Sequence, residues 1–323
     1  MTGEYTIEVW NKRVRYNLKV RRNITIITGD SGTGKTTLIN LIDAYDNSKE
    51  DSGVHLICDR RCVYLHGKDW KHDLSIINNS IVFIDEHDSC LVDNDFATEI
   101  KNTDNYYVII ARCNLSRLPY SVYEIYGLRE ARKDLNTNQV YNEQFMLFGK
   151  NITESGTVPD VVVTEDSNSG YDFFKEVCNK YGKQCIPANG KSNIKNLIGK
   201  IQDNKVLIIA DGAAFGSEME DVILKLEEYP NYSLYLPESF EWLLLKAGTV
   251  RDNNLDNILK EPYKFIESSN YFSWERYFTD LIIHICANTP GKLVYKKSKI
   301  HKFFLQDNNI NKVLKVMKKI RFN

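Results

Sequence analysis

The chain of 323 residues carries 42 Lys or Arg against 43 Asp or Glu, a net charge of −1, with 42% hydrophobic and 26% charged residues. Such averages exclude a disordered, collagen-like or disulfide-stapled chain, and the length predicts two domains at about 100–200 residues each. No run approaches the roughly 18 apolar residues of a membrane span, and seven irregularly spaced cysteines predict reduced thiols in a cytoplasmic setting.

The opening MTGEYTIEVWNKRVRY alternates apolar and polar residues, unlike a secretory leader, and predicts hairpin strands over 5–9 and 14–20. Residues 23–28 (NITIIT) read as a buried strand, followed by a glycine-rich turn and a helix over 36–44. Short strands follow at 54–57, 62–65, 81–84, 106–111 and 143–148. The polar segment GKNITESGTVPD (149–160) marks the domain boundary. Beyond it, strands at 161–164, 184–187, 206–210 and 233–236 alternate with helices at 171–181, 194–201, 219–229 and 240–247. That alternation predicts a parallel, doubly wound sheet. After about residue 250 the pattern reads as helical, and residues 251–323 are expected to pack on the second domain.

The strongest motif is GDSGTGKTT, Gly29 to Thr37, with Gly29, Gly34, Lys35 and Thr36 at the fixed positions of G-x-x-x-x-G-K-[ST]. Chance produces such a match in roughly one chain of this length in a hundred at average glycine usage. The placement between a strand and a helix makes it more specific. Glycines let backbone N–H groups converge on phosphate oxygens, and a helix N-terminus adds partial positive charge. Gly29, Asp30, Ser31, Gly32, Thr33, Gly34, Lys35, Thr36 and Thr37 are therefore the expected nucleotide contacts, with Lys35 on the β- and γ-phosphates and Thr36 on Mg²⁺. IVFIDE (81–86) supplies the acids such a loop needs: Asp85 for the Mg²⁺ shell and Glu86 to orient the attacking water. Arg112 and Asn114 are candidates for contact with the γ-phosphate, or plain surface polars.

On GDSGTGKTT and FIDE, residues 5–148 resemble the ATPase domains of the ABC/AAA-type P-loop group, including those of OLD-family proteins. The resemblance implies a P-loop NTPase domain with a parallel sheet that binds and hydrolyses ATP. No LSGGQ-like segment lies between the two motifs; LSRLPYS (115–121) follows the acidic one.

In the second half, VVVTEDSNSG (161–170) and VLIIADGAAFGSEMED (206–221) each run an apolar strand into an acid, Glu165 and Asp211. Parallel strands about 4.8 Å apart place both acids on one sheet edge, where they can share Mg²⁺ or Mn²⁺. These residues resemble the Toprim domain of topoisomerases, primases and OLD-type nucleases over 158–247. The resemblance implies metal-dependent action on nucleic acid, with Glu165 and Asp211 as catalytic and metal-binding acids. Ala213 stands where that family carries a second Asp, so Glu218, Glu220 or Asp221 is expected to supply the carboxylate, Glu218 first; Glu238 and Glu241 are further candidates.

Weaker signals complete the reading. Cys58, Cys62 and His66 fit buried thiols better than zinc spacing. SNSG (167–170) and ANGKSN (188–193), with Lys191, are either anion-binding turns or ordinary helix starts. The segment 292–323 holds ten Lys or Arg and one acid, Asp307, so it is either a polyanion patch or a solvated helix face. Phe303 and Phe304 beside Lys302 would stack on bases or lie in the core. The expected whole is a cytoplasmic, ATP-dependent nuclease with nucleic acid, a homo-oligomer or a partner protein, but no membrane, as partners. A phage-defence role is implied by the resemblance alone. The alternative is an ATP-gated sensor with a degenerate Toprim-like scaffold.

Overall fold

The computed structural model describes residues 1–112, 114–133, 139–148, 157–202, 204–289 and 293–323, so most of the expected boundary, 149–156, lies outside it. The chain divides into two compact units: Met1–Leu147 with Glu261–Phe272, and Phe148–Lys260 with Ser273–Asn323. Residues 251–323, expected to pack as one C-terminal region on the second domain, are thus split. The segment 261–272 belongs to the first unit, where Gly3 N donates to Tyr263 O (2.7 Å) and Asn23 Nδ2 to Ser268 O (3.0 Å).

In the first unit the elements run β1 (Tyr5–Trp10), β2 (Val14–Val20), β3 (Ile24–Ile27), α1 (Lys35–Ser48), β4 (His55–Ile57), β5 (Arg61–Tyr64), α2 (Trp70–Ile76), β6 (Ser80–Ile84), α3 (Phe96–Glu99), β7 (Tyr106–Ile110), β8 (Ile125–Lys133) and β9 (Val140–Met146). Among the described residues they form a nine-stranded sheet ordered β4-β1-β2-β9-β8-β3-β7-β6-β5. The expected parallel sheet is in fact mixed. Strands β8-β3-β7-β6-β5 run parallel, but β1 pairs antiparallel with β2 and β4, and β8 with β9. Burial explains the division: β3, β6 and β7 are buried at every residue, as strands covered on both faces must be. β1 alternates, with Ile7 and Val9 inward and Thr6 exposed, which suits a one-sided antiparallel edge.

In the second unit β10 (Val161–Thr164), α4 (Ser169–Lys180), β11 (Gln184–Pro187), α5 (Lys191–Leu197), β12 (Val206–Ile209), α6 (Met219–Glu228), β13 (Tyr232–Tyr235) and α7 (Phe240–Lys246) alternate as expected. They are followed by α8 (Leu255–Lys260), α9 (Trp274–Asn288) and α10 (Asp307–Val316). The strands form a sheet ordered β11-β10-β12-β13, parallel throughout, so all four strand ends meet one edge. Full burial of β10 and β12 contributes about 1.5–3 kcal/mol per Val, Leu or Ile side chain. Phe173, Phe174 and Phe240 pack together at centroid distances of 5.3–6.1 Å, fixing α4 against α7. α5 starts and stops earlier than its apolar spacing predicts: the chain turns out at Ile198, and Gly199 takes a left-handed φ of 88°.

Candidate functional site

The loop after β3 turns on three glycines with positive φ: Gly29 (130°), Gly32 (85°) and Gly34 (90°). Gly34 precedes α1, and no side chain caps that helix start and no acid stands in its first turn. The first N–H groups of α1 are thus left to an incoming acceptor. Lys35 is buried, and its ammonium folds onto the loop, donating to the Gly29 carbonyl, to Asp30 O (2.7 Å) and to Thr33 Oγ1 (3.0 Å). Burial, and then the Arg112 charge, lower its pKa. Thr36 and Thr37 are exposed beside it. From β2, Tyr16 reaches beneath the loop and donates to Gly34 O at 2.8 Å. A Cβ on Gly34 would come 2.6 Å from Tyr16 Oη, so the glycine is required twice over, by its φ and by this contact.

The acids stand two strands away, because β7 lies between β3 and β6. Asp85 accepts from Glu86 N (2.7 Å) and its own N–H is held by Asp88 Oδ2 (2.8 Å). Glu86 is held from β7: Arg112 Nε is 3.1 Å from Oε1 and Arg112 N donates to Oε2 at 3.0 Å. Arg112 is therefore an anchor for Glu86. Lys35 lies within electrostatic reach of Asp30, Asp85 and Glu86, so the structure gathers the expected residues of this site. Asn114 and Glu86 together line an adjacent cavity of about 380 Å³.

In the second unit β10 and β12 are neighbours, and their ends bring Glu165 and Asp211 together. Asp211 N donates to Glu165 Oε2 at 3.0 Å. Asp211 Oδ1 accepts from Phe240 N (3.1 Å), while Ser239 Oγ accepts from Trp242 N (3.1 Å); both bonds cap α7. Glu241, in the first turn of α7, is 1% exposed. Its Oε1 accepts from Tyr295 Oη (2.7 Å), which also meets Ser169 Oγ (2.8 Å), and its Oε2 is buried without a partner. Lys297 closes the group through an ion pair with Glu275. Glu165, Asp211, Glu241 and Lys297 surround a cavity of about 30 Å³, room for one water or one ion.

Burial pushes Glu165 up to about 7, only partly opposed by the Asp211 N–H. Asp211 lies well above the usual carboxylate range through burial and the neighbouring Glu275 and Glu165 charges. Burial also raises Glu241. Burial disfavours the Lys297 ammonium, but Glu275 and Glu241 more than offset that and hold it charged.

Glu218 does not join this group. After Asp211 the chain hydrogen-bonds along 237–238, with Gly212 N on Pro237 O (2.7 Å) and Ala213 N on Glu238 O (3.1 Å). Glu218 ends buried at the start of α6, beside Ser217. Asp221 pairs with Lys195 at 2.7 Å. Sequence reasoning named Glu241 only as a further candidate and missed Glu275, Lys297 and Tyr295. A charge in the aromatic run YFSWERYF was the one available signal for Glu275; nothing in the local sequence marked Lys297.

Of the two readings for SNSG and ANGKSN, the ordinary helix start is favoured, because the polar groups there are taken up internally: Ser169 N donates to Lys297 O (2.9 Å), and Lys191 Nζ to Ala214 O (2.7 Å). Cys58 is half-buried and Cys62 buried, while His66 is exposed and stacked on Tyr64. Among the described residues no three His, Cys, Asp or Glu side chains are arranged to hold a metal ion. Of the basic tail, Lys292 lies outside the described residues. No protein-family model and no curated relative matches the chain. Among the described residues, no helix is long and apolar enough to cross a membrane.

Proposed function

We propose that this chain is an ATP-hydrolysing enzyme whose second unit acts on nucleic acid as a metal-dependent, Toprim-like nuclease under ATP control. The observation that carries the first part is the uncapped start of α1 beneath three positive-φ glycines, with Lys35 inside the loop and Asp85 and Glu86 within electrostatic reach. Hydroxyl and carboxylate oxygens suit Mg²⁺, so Thr36 and Asp85 are the residues that would hold it. Mg²⁺ would supply charge neutralisation on the phosphate oxygens. Within the chain, Lys35 exchanges loop carbonyls for phosphate oxygens, the α1 amides bind the anion, and Glu86 orients water. Glu86→Gln should retain ATP binding and stop turnover, read by nucleotide titration beside phosphate release; a wild-type rate overturns the assignment.

For the second unit, the support is that Glu165 and Asp211 end neighbouring strands and line one small cavity. Among the described residues the acids there form no three-residue ligand set, so a divalent ion would rest on these two carboxylates with water or phosphate oxygens completing its shell. The ion would supply Lewis acidity toward a phosphodiester. Glu165→Ala or Asp211→Ala should abolish Mn²⁺-dependent plasmid nicking and leave ATPase rates intact; nicking that survives both substitutions sinks this reading. One observation favours the second reading, an ATP-gated sensor with a scaffold domain: a resident cation, Lys297, already lines the acidic cavity and pairs with Glu275. Its mark is a wild-type chain that does not nick with ATP and Mn²⁺ present.

A further inference from the structure

The second unit holds a larger cavity, of about 840 Å³, whose composition differs from that of the acidic one. Its origin is a helix ending. Gly248, at φ 64°, closes α7 with Gly248 N on Leu245 O (3.0 Å) and Thr249 N on Leu244 O (3.3 Å), the paired bonds of a Schellman cap. The turn swings 249–253 away from the helix. The segment 301–306 approaches from the other side and is pinned by Asn309 Nδ2 on Phe303 O (2.8 Å). Buried Val250 and Ile285 contribute an apolar floor. Half-buried Phe303 forms a wall, its ring braced edge-on by the fully buried Phe304 at 5.2 Å.

Charge then selects the ligand. Arg251, Lys302 and Lys312 line the space against one carboxylate, Asp252. Asp252 is engaged in accepting from Asn254 N (2.9 Å), while Lys312 Nζ donates to Gly248 O (3.1 Å). His301 Nδ1 accepts from Phe303 N (3.2 Å). Arg251 and Lys302 are exposed, and among the described residues neither forms an ion pair with a carboxylate. The volume lies within the range of ligand pockets, roughly 300–1,000 Å³. An apolar floor, one aromatic face and several cations suit a ligand with a flat ring at one end and a phosphate at the other.

We propose that this cavity binds a nucleotide unit, its base on Phe303 and its phosphate on Arg251 and Lys302. The proposal deepens the nucleic-acid reading of the second unit by naming where a strand would rest. On α9, Glu275 beside the acidic cavity and Ile285 in the basic one are ten residues apart. That is about 15 Å of helix, or some four to five stacked nucleotides at 3.4 Å each.

The test is a titration of the full chain with labelled single-stranded oligothymidylate, in EDTA so that cleavage plays no part. A Lys35→Ala background keeps the phosphate loop out of the measurement, and thymidine monophosphate serves as a second probe. Phe303→Ala and Phe303→Leu should each weaken binding about tenfold, whereas Phe303→Tyr retains it. Phe303→Leu and Phe303→Tyr keep the wall packed, so the contrast between them reads stacking and not folding. Arg251→Gln and Lys302→Gln should each flatten the salt dependence by about 0.7 in logarithmic slope. Monophosphate binding with the same sensitivities makes a free nucleotide the source; oligonucleotide binding alone makes it a strand. Strand binding that ignores all these variants overturns the cavity assignment and leaves the nucleic-acid reading standing. No binding of either probe overturns both.

Discussion

The glycine-rich loop of the first unit and the acidic cavity of the second are built alike and finished in opposite ways. Each lies where a buried parallel strand ends and a helix begins. In the first, the start of α1 has no side-chain cap and no acid in its first turn, so its N–H groups await a ligand. In the second, Asp211 and Ser239 already occupy the first N–H groups of α7, and Asp211 N holds Glu165. One site leaves the N–H groups of its helix start without a side-chain acceptor. The other commits its donors to side-chain oxygens, gathers Glu165, Asp211 and Glu241 around a space for one ion, and sets Lys297 beside them. The difference lies in the residues that stand at the helix start: a glycine cannot cap with a side chain, whereas Asp and Ser can.

The largest effect should come from Lys35. If the first site works through open donors, Lys35→Ala removes the one side-chain cation inside the loop. ATP turnover should then fall about 10²–10³-fold, the scale for losing one preorganised charge-stabilising donor. The measurement is phosphate release at saturating ATP. A loss of less than about tenfold would place catalysis elsewhere and break the contrast between the two sites.

Glu165 sharpens the comparison from the other side. Its pKa rises from 4.5 to about 7, chiefly through burial, so the folded chain keeps the proton over a range in which the unfolded chain has lost it. Stability from this group is therefore highest below about pH 4.5, falls as pH rises toward 7, and stays low above that. Glu165→Gln is neutral throughout and keeps an acceptor for Asp211 N. In EDTA at pH 8 it should stabilise the second unit by on the order of 3 kcal/mol, with little effect near pH 4.5. Thermal melts at both pH values decide it; a pH-independent difference would mean that Glu165 is not held protonated.

The two sites were unequally legible in the sequence. The glycine-rich loop is contiguous, so its spacing alone singled out Gly29 to Thr37, an apolar strand pointed to Asp85 and Glu86, and the structure brings these acids within electrostatic reach of Lys35. Glu165 and Asp211 were readable for the same reason, each directly following a strand. The rest of the acidic site arrives from far along the chain: Glu275 from α9 and Lys297 from an irregular segment, where no periodicity carries information. Glu218 was misplaced because sequence distance stood in for spatial distance. The first unit was expected to hold a parallel sheet because the resemblance implied one, while β8, IYGLREARK, with Gly127 and a run of charges, was not read as a strand and pairs antiparallel with β9. That glycine is needed because a Cβ there would come 2.6 Å from the Phe145 ring.

The smallest expected effect tests whether the open loop is also a rigid one. Tyr16 is 1% exposed, and its hydroxyl donates to Gly34 O from β2, outside the motif itself. Burial pushes its pKa up to about 12, so it remains a neutral donor at any workable pH. Tyr16→Phe keeps the packed ring and removes the hydrogen bond to Gly34 O together with the hydroxyl's contact with Thr37, a loss of about 0.5–1.5 kcal/mol per hydrogen bond. Because Gly34 O belongs to the last loop residue before α1, the loss should appear as a several-fold weaker ATP affinity, with turnover at saturating ATP nearly unchanged. It should also be equal at pH 6 and pH 9, since the hydroxyl does not ionise between them. Nucleotide titration at both pH values checks it. If affinity is untouched, the glycines alone fix the loop, and the contrast with the acidic cavity rests on open donors without support from β2.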